Sequence, residues 1–524
     1  MHQINSVRRL ALKGGAAACS LFLPLPYARV WAQSEGTLRL LRVPKIALVL
    51  GNSKYQHVSP LRNPANDAKA IGEVLRATGF QVTVKLDSER AEMAAAVQAY
   101  VRAQAANKGV GLFYYAGHGL QLVWRNYMLP VDAEIDTVAD IQKQGVEVNA
   151  LLEGLTKAAN PMNIIILDAC RDNPFGHLKG LEQKGLSQMD APPSTILAYA
   201  TSPGNVASDG DGSNGLYTGN LLRELKVGAA KVEDVFKRVR LGVRRSSNGQ
   251  QIPWESTSLE EDFYFIPPKE LRKRSEDEVQ KLYEAESAVW EKAKESNSPA
   301  ALEEYLRRYP SGHFSELAQL QLDRVLTRQG EKKIRIQSNG ANPFSKGTGV
   351  LDTEYKIGDT YAYRVIDVLT RIERSRGRDT VVKLSANEVT YNGGLVTDHL
   401  GNAVLLRNGT RRTSSQTFVQ EYSVGKRWET RSENRLADGT NFLSELNCHI
   451  AAREPISVPA GNFDAFRVDV RGWNTYPRYR LQIETRIWVA PERLRRYVAV
   501  ENMFRLGNRL VNTDRVELVS FKQS

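Results

Sequence analysis

Short apolar runs alternate with helix-patterned segments over the first half of the chain. Lys45–Leu50 and Gln81–Leu86 have the apolar content of strands, while Pro64–Thr78 and Glu89–Asn107 carry apolar residues at helical spacing. Beyond residue 120 the pattern predicts a hairpin at Trp124–Val131 and a further strand at Ser194–Ala200. It also predicts three helices, at Val148–Ala159, Leu216–Leu225 and Val232–Arg245. This alternation predicts an α/β fold, with a mostly parallel sheet covered by helices on both faces.

Two of the predicted strands end in a chemically reactive side chain. His118 lies near the end of the run 109–119, and Cys170 lies near the end of the run 163–171. Runs this apolar and this short are typical of strands buried on both faces of a parallel sheet. Ligands of such sheets bind beyond the carboxyl ends of the strands. We therefore expect His118 and Cys170 to face each other across one crevice, as a thiol nucleophile and its proton acceptor require.

The α/β pattern ends at Pro267-Pro268. Residues 269–330 show no strand signal and predict a helical hairpin, broken at Pro310-Ser311-Gly312, that is similar to a tetratricopeptide-like unit. A packing spacer and a partner-binding module are both open interpretations of this segment. Residues 338–350 predict a linker. Short alternating runs over 351–524 predict a β-rich domain, either a sandwich or a half-barrel, that binds or anchors an unknown ligand.

Charge gives little support for a nucleic-acid partner. The 71 basic and 59 acidic residues give a formal charge of +12. Residues 1–32 hold four basic residues and no acid, which leaves +8 for the rest.

The charged start of the chain and the small and apolar residues after it predict a signal peptide over 1–32. Val7–Lys13 resembles a twin-arginine export signal, with Sec export as the alternative. We therefore expect an exported protein of the bacterial periplasm without a transmembrane span.

Beyond that leader only two cysteines remain, Cys170 and Cys448, which cannot form a disulfide framework. Cys448 has the pattern of a small buried apolar residue. The same structural role is open to Cys170, but the neighbouring Asp168 and Arg171-Asp172 make burial unfavourable there. The sequence therefore favours a chemical role for Cys170, and neither a metal nor another cofactor is expected.

Residues 44–267 resemble the caspase and metacaspase superfamily of cysteine peptidases. The resemblance rests on four motifs in order: Tyr-Ala-Gly-His-Gly around His118, Leu-Asp-Ala-Cys-Arg-Asp-Asn-Pro-Phe around Cys170, the segment Leu197–Leu222, and Gln251-Ile-Pro-Trp-Glu followed by Asp262-Phe-Tyr-Phe. It implies a caspase-like sheet domain that hydrolyses peptide bonds. Metacaspases usually carry His-Ser after the nucleophile, where this chain has Arg171-Asp172. The shape of the substrate pocket is therefore not implied by the resemblance.

The resemblance implies a role for each residue at these motifs. Cys170 would be the nucleophile, which attacks as a thiolate. His118 would take up its proton and later protonate the leaving amine. The backbone N–H groups of Gly119 and Cys170 would form the oxyanion hole. No third catalytic side chain is evident, and the family generally works as a dyad.

The same resemblance bears on specificity. Animal caspases accept Asp before the scissile bond through basic pocket residues, whereas metacaspases and the bacterial branch favour Arg or Lys through acidic residues. Asp168 matches the acidic position, and Asp209 or Asp211 would supply a second carboxylate for bidentate bonds to a guanidinium. The alternatives are a structural hydrogen bond for Asp168, and a Gly-Asp turn or a bound cation for Asp209 and Asp211.

The sequence thus predicts an exported cysteine endopeptidase that cleaves after Arg or Lys by a Cys170–His118 dyad. The alternative is a catalytically inactive caspase-fold scaffold or envelope-binding protein that acts through its helical and β-rich domains. Expected partners are protein or peptide substrates and a protein or envelope partner for the C-terminal domains, and calcium activation is not predicted. Lys179 and Lys184 suggest self-cleavage between Asn173 and Pro193, with a solvated loop as the default interpretation.

Overall fold

A computed structural model describes residues 28–170, 175, 178, 185–202, 212–272, 274–331, 341–413 and 415–524. The side chains of residues 28–34 and of Cys170 are outside this description. Helix α1 (Ala28–Arg42) comes first, so most of the predicted leader 1–32 lies outside the described residues. Within the described ranges, no helix has both the length and the apolar content needed to cross a membrane.

A sheet of eight strands forms the first domain. Its strands are β1 (Lys45–Gly51), β2 (Gln81–Leu86), β3 (Val110–Leu122), β4 (Arg125–Met128), β5 (Val146–Glu147), β6 (Met162–Cys170), β7 (Thr195–Tyr199) and β8 (Trp254–Thr257). Six of them have the order β2-β1-β3-β6-β7-β8, and every pair is parallel except β7 with β8. The short strand β4 forms a hairpin with the end of β3 and also pairs with β5.

Helices cover both faces of this sheet, as the sequence pattern predicts. They are α2 (Pro64–Ala77), α3 (Arg90–Asn107), α4 (Val138–Gln144), α5 (Val148–Ala158), α6 (Leu216–Glu224) and α7 (Val232–Ser246). Alternate residues of a strand point to opposite faces. On β3, Leu112 and Tyr114 therefore join the apolar core with α2, α6 and α7. Phe113 and Tyr115 join the core with α3 and α5.

Three helices follow the sheet, where the sequence pattern indicates a two-helix hairpin. They are α8 (Glu276–Ser296), α9 (Pro299–Arg308) and α10 (Ser315–Arg328). The additional break lies between α8 and α9, where Asn297 adopts the left-handed conformation and the Ser298 side chain accepts a hydrogen bond from the N–H of Ala301. A left-handed Asn and a Ser cap before Pro299 are ordinary signals that end one helix and begin the next.

Twelve antiparallel strands close into a barrel near the C-terminus. They are β10 (Thr360–Asp367), β11 (Glu373–Leu384), β12 (Glu388–Tyr391), β13 (Val396–Asp398), β14 (Ala403–Leu405), β15 (Arg411–Arg412), β17 (Arg427–Arg435), β18 (Asn441–Val458), β19 (Gly461–Thr475), β20 (Arg480–Val489), β21 (Tyr497–Leu506) and β22 (Arg509–Lys522). Strands β9 (Thr348–Val350) and β16 (Glu421–Ser423) form a separate pair. Because β10 pairs with β22, the sheet is closed, in contrast to the predicted sandwich or half-barrel.

One apolar core joins the three helices to one face of the barrel sheet. Trp290, Tyr305 and Phe314 of the helical segment belong to the same cluster as Phe466 and Val468 of β19. Trp290 and Phe314 are stacked, with ring centroids 5.8 Å apart.

Cys448 of β18 lies inside this shared core. It is a free thiol that is only 2% exposed, and burial raises its pKa. The interpretation of Cys448 as a buried apolar residue is therefore confirmed.

The described part of the predicted linker 338–350 is bound to the sheet domain. The Asn342 side chain donates to the carbonyl of Gln188 over 2.8 Å. Asp190 accepts hydrogen bonds from the Ser345 hydroxyl at 2.7 Å and from the backbone N–H of Lys346 at 2.6 Å. These contacts hold the chain between α10 and the barrel against the sheet domain.

A buried carboxyl group in the barrel predicts a pH-dependent stability. Asp398 accepts hydrogen bonds from the N–H groups of Leu400 and Asn402, yet burial outweighs them and raises its pKa from 3.8 to about 7. Between pH 4 and pH 7 the folded state keeps a proton that the unfolded chain has released. The stability contributed by this group therefore falls as the pH rises through that range, by roughly 4 kcal/mol.

Asp398→Asn is expected to remove this loss. Thermal unfolding of the wild type and the variant is measured at pH 5 and pH 8. The melting temperature of the variant, relative to that of the wild type, should be higher at pH 8 than at pH 5. Asp464→Asn, an exposed carboxylate of the same barrel, is the control and should show no such gain. An unchanged difference between wild type and Asp398→Asn at the two pH values would contradict the assignment.

Candidate active site

The register of two parallel strands brings His118 and Cys170 together. They are direct Cα partners at the carboxyl ends of β3 and β6. Neighbouring strands lie about 4.8 Å apart, so the two backbones are adjacent. The described part of this site is the histidine side chain and the backbone of the cysteine.

The imidazole of His118 is oriented by a backbone carbonyl. Its Nε2 lies 2.9 Å from the carbonyl oxygen of Ser59, in the loop after β1. Since a carbonyl only accepts hydrogen bonds, Nε2 carries the proton and the neutral ring has its lone pair at Nδ1. The ring of Tyr55 packs against it, with centroids 4.5 Å apart. Sequence motifs gave no signal for Ser59, because its backbone rather than its side chain makes the contact.

Two tyrosine hydroxyls hold the backbone of His118. The N–H of His118 donates to the Tyr55 hydroxyl at 2.7 Å, and the Tyr115 hydroxyl donates to the carbonyl of His118 at 2.6 Å. A Cβ at Gly117 would come within 2.6 Å of both hydroxyl oxygens. The Gly before the histidine is therefore required by the tyrosines that fix the histidine in place.

The backbone N–H of Gly119 points away from the hairpin. Gly119 is the register partner of Met128, and the N–H of Leu129 donates to the carbonyl of His118. This pattern makes Gly119 and Met128 a non-hydrogen-bonded pair, so the N–H of Gly119 faces the β6 side of the strand. A Cβ at Gly119 would lie 2.9 Å from the Cβ of Ala169. The close packing against β6 explains why a glycine occupies this position.

Asp168 is part of a hydrogen-bonded chain on the same edge of the sheet. The Thr218 hydroxyl donates to its Oδ2 at 2.6 Å. Because that hydroxyl has one proton, Tyr114, whose hydroxyl oxygen lies 2.6 Å from Thr218 Oγ1, donates to Thr218. Burial, then the charge of Asp168, raises the pKa of the Tyr114 phenol well above its usual value. Asp168 thus makes a structural hydrogen bond, which is one of the two roles that the sequence allows for it. Its side chain is half-buried.

A second carboxylate near Asp168 comes from a residue that sequence reasoning missed. Asp67, in the first turn of α2, is buried and accepts hydrogen bonds from the Asn214 side chain at 2.8 Å and from the N–H of Gly215 at 3.0 Å. Gly215 directly precedes α6, and Thr218, which bonds Asp168, lies in the first turn of that helix, so both carboxylates lie at its N-terminal end. An acid in the first turn of a helix is usually explained by the helix dipole alone, so its sequence position carried no functional signal.

Several predicted residues lie outside the described residues. These are Asp209, Asp211, Lys179 and Lys184. His57 is exposed in the loop after β1. In the described part of the chain, His, Cys, Asp and Glu side chains form no group of three that could hold a metal ion.

Comparisons with known proteins give a family match for the sheet domain. Residues 44–264 match the family model of the caspase domain. The chain is 30% identical over 184 residues to mucosa-associated lymphoid tissue lymphoma translocation protein 1 of Homo sapiens, which covers 35% of this chain and 21% of that protein. The Mus musculus homolog is 30% identical over 194 residues, 37% of this chain and 22% of that protein.

Caspase-1 of Rattus norvegicus is 22% identical over 283 residues, 48% of this chain and 68% of that protein. This chain therefore spans about a fifth of the length of the first two relatives. The similarity supports a caspase-like sheet domain.

Proposed function

We propose, from the membership of residues 44–264 in the caspase domain family, that this protein is a cysteine endopeptidase. Cys170 is the nucleophile of the proposal, and His118 is its general base and acid. The observation that carries it is the register that pairs His118 with Cys170 at the end of two buried parallel strands. The carbonyl of Ser59 supports it further, since it leaves Nδ1 of His118 as the proton acceptor.

The reaction follows from these positions. Nδ1 of His118 takes the thiol proton of Cys170, and the thiolate adds to the carbonyl carbon of the scissile bond. The N–H groups of Gly119 and Cys170 donate to the resulting oxyanion, each worth about 3 kcal/mol in acyl transfer. On collapse the C–N bond breaks and the imidazolium protonates the leaving amine. A water molecule, deprotonated by the same ring, then hydrolyses the thioester and the thiol is restored.

We propose further that the residue before the cleaved bond is Arg or Lys. Asp67 accepts from the N–H of Gly215, just before α6, and Asp168 accepts from Thr218 in its first turn, so two carboxylates lie at the N-terminal end of α6. A guanidinium or ammonium of the substrate would bind these carboxylates through charge-assisted hydrogen bonds.

Hydrolysis of short fluorogenic peptides tests both parts of the proposal. The full chain, under reducing conditions, is expected to cleave peptides ending in Arg or Lys, and Cys170→Ala is expected to abolish the cleavage. Cys448→Ala removes a thiol from the distant shared core and is the matched control, which should keep its activity. Cleavage only after Asp would contradict the acidic pocket. No cleavage of any peptide, with and without calcium, would favour the inactive scaffold.

A further inference from the structure

The barrel domain carries a cavity that the proposed peptidase does not use. It has a volume of about 530 Å³, within the range of roughly 300–1,000 Å³ that is typical of small-molecule sites. Its walls include Tyr363 and Val365 of β10 and Gly377 and Asp379 of β11. These are alternate positions on their strands and therefore share one face of the barrel sheet.

The cavity wall carries an excess of positive charge. Four arginines line it, whereas Asp379 is the one carboxylate among the lining residues. Asp379 is shared, because it accepts hydrogen bonds from both Arg407 and Arg496. Arg376 is paired with Glu373 outside the lining, so the other three arginines against Asp379 leave a net charge of about +2.

Two of these arginines have buried nitrogens without an acceptor. Arg496 is only 7% exposed, and its Nε and Nη1 make no hydrogen bond, as is also true of Nε of Arg412. The rings of Tyr391 and Tyr497 contact the Arg496 guanidinium, at 4.7 and 5.4 Å from their centroids. A ring face satisfies the charge in part but accepts no strong hydrogen bond. Buried cationic N–H groups without acceptors are costly, and an anion in the cavity would supply the acceptors.

The remaining wall of the cavity is aromatic and aliphatic. Tyr363 and Tyr497 have ring centroids 4.7 Å apart, and Phe418 stacks on Tyr497 at 6.1 Å. Leu395 and Leu406 complete this apolar side. Such a surface favours a ligand with an apolar body and disfavours a small hydrated ion.

We propose that this cavity binds a small amphipathic anion, in which an apolar chain or ring carries one carboxylate or phosphate group. The anionic group lies against Arg412 and Arg496, and the apolar body packs on Tyr363, Phe418 and Tyr497. The exposed positions Ser375 and Gly377 lie at one end of the cavity and give it access to solvent. This site is independent of the proposed peptidase chemistry.

Isothermal titration calorimetry of the full chain tests the proposal. The probes are decanoate, decyl phosphate, decanol and inorganic phosphate. We expect at least one of the two decyl anions to bind with one-to-one stoichiometry, at least tenfold more tightly than decanol and inorganic phosphate. A preference between carboxylate and phosphate then identifies the head group. Equal affinity for decanol, equal affinity for inorganic phosphate, or no binding of either decyl anion would overturn the proposal.

Variants locate the binding in the cavity. Arg412→Gln and Arg496→Gln are each expected to weaken the decyl anion at least tenfold. Arg471→Gln, an arginine of β19 that does not line the cavity, is the matched control and should bind as the wild type does. If Arg496→Gln fails to fold, the half-buried Arg412 still provides the test. Unchanged affinity in Arg412→Gln would overturn the proposal.

Discussion

Replacement of His118 by alanine is expected to lower kcat/KM for Arg-ending peptides about 10³-fold or more, the usual contribution of a positioned general acid and base. The loss should fall mainly on kcat, because the imidazole acts on the thiol and on the leaving amine rather than on the bound side chain of the substrate. Initial rates over a range of substrate concentrations separate the two parameters.

The control for this variant is His57→Ala. His57 lies in the same loop region after β1 but is exposed, so its removal should leave kcat/KM unchanged. Thermal unfolding must show that His118→Ala remains folded, since His118 is buried and its ring packs on Tyr55. A folded His118→Ala protein with wild-type kcat would contradict the role given to His118.

The second large effect is expected at the two carboxylates. Asp168→Asn and Asp67→Asn each keep an acceptor oxygen but remove a negative charge. Each is expected to lower kcat/KM for peptides ending in Arg or Lys about 10²-fold, since a charged hydrogen-bonded partner lost from a desolvated pair costs roughly 2–5 kcal/mol. The effect should appear largely in KM, in contrast to the kcat effect of His118→Ala.

A comparison among substrates makes this prediction specific. The loss should be large for peptides ending in Arg or Lys and small for a peptide ending in an uncharged residue. Asp136→Asn removes an exposed carboxylate of the same domain and should leave all these substrates unaffected. An equal loss on charged and uncharged substrates would mean that the two carboxylates support the fold rather than recognise the substrate.

Much of the sheet domain is predictable from local pattern, and the reasons for the misses are physical. Apolar runs identify β3 and β6, and their ends place His118 beside Cys170. The strand continues past His118 to Leu122, however, because Val123 and Trp124 adopt the left-handed conformation and turn the chain into β4. Left-handed turns normally use Gly or Asn, so this turn has no local sequence signal.

The missed parts of the site and of the barrel depend on long-range contacts. Ser59 orients His118 through a carbonyl, and Asp67 belongs to helix α2 whereas Asp168 belongs to strand β6, so neither Ser59 nor Asp67 is part of a motif. Closure of the barrel requires Thr360 to pair with Lys522 at the far end of the domain. Local alternation predicts that these segments are strands, but it does not indicate which strands pair. The sequence therefore predicts a β-rich domain without its closed topology.

The core shared between the helices α8 to α10 and the barrel has a consequence for how the protein can be divided. The helices contribute Trp290 and Phe314 to this core, and the barrel contributes Phe466 and Val468. Separating the helices from the barrel would therefore expose a wide apolar face on both pieces. The two segments should therefore unfold together. During evolution the helices and the barrel would be gained, lost or exchanged together as one unit. The sheet domain would be a second unit.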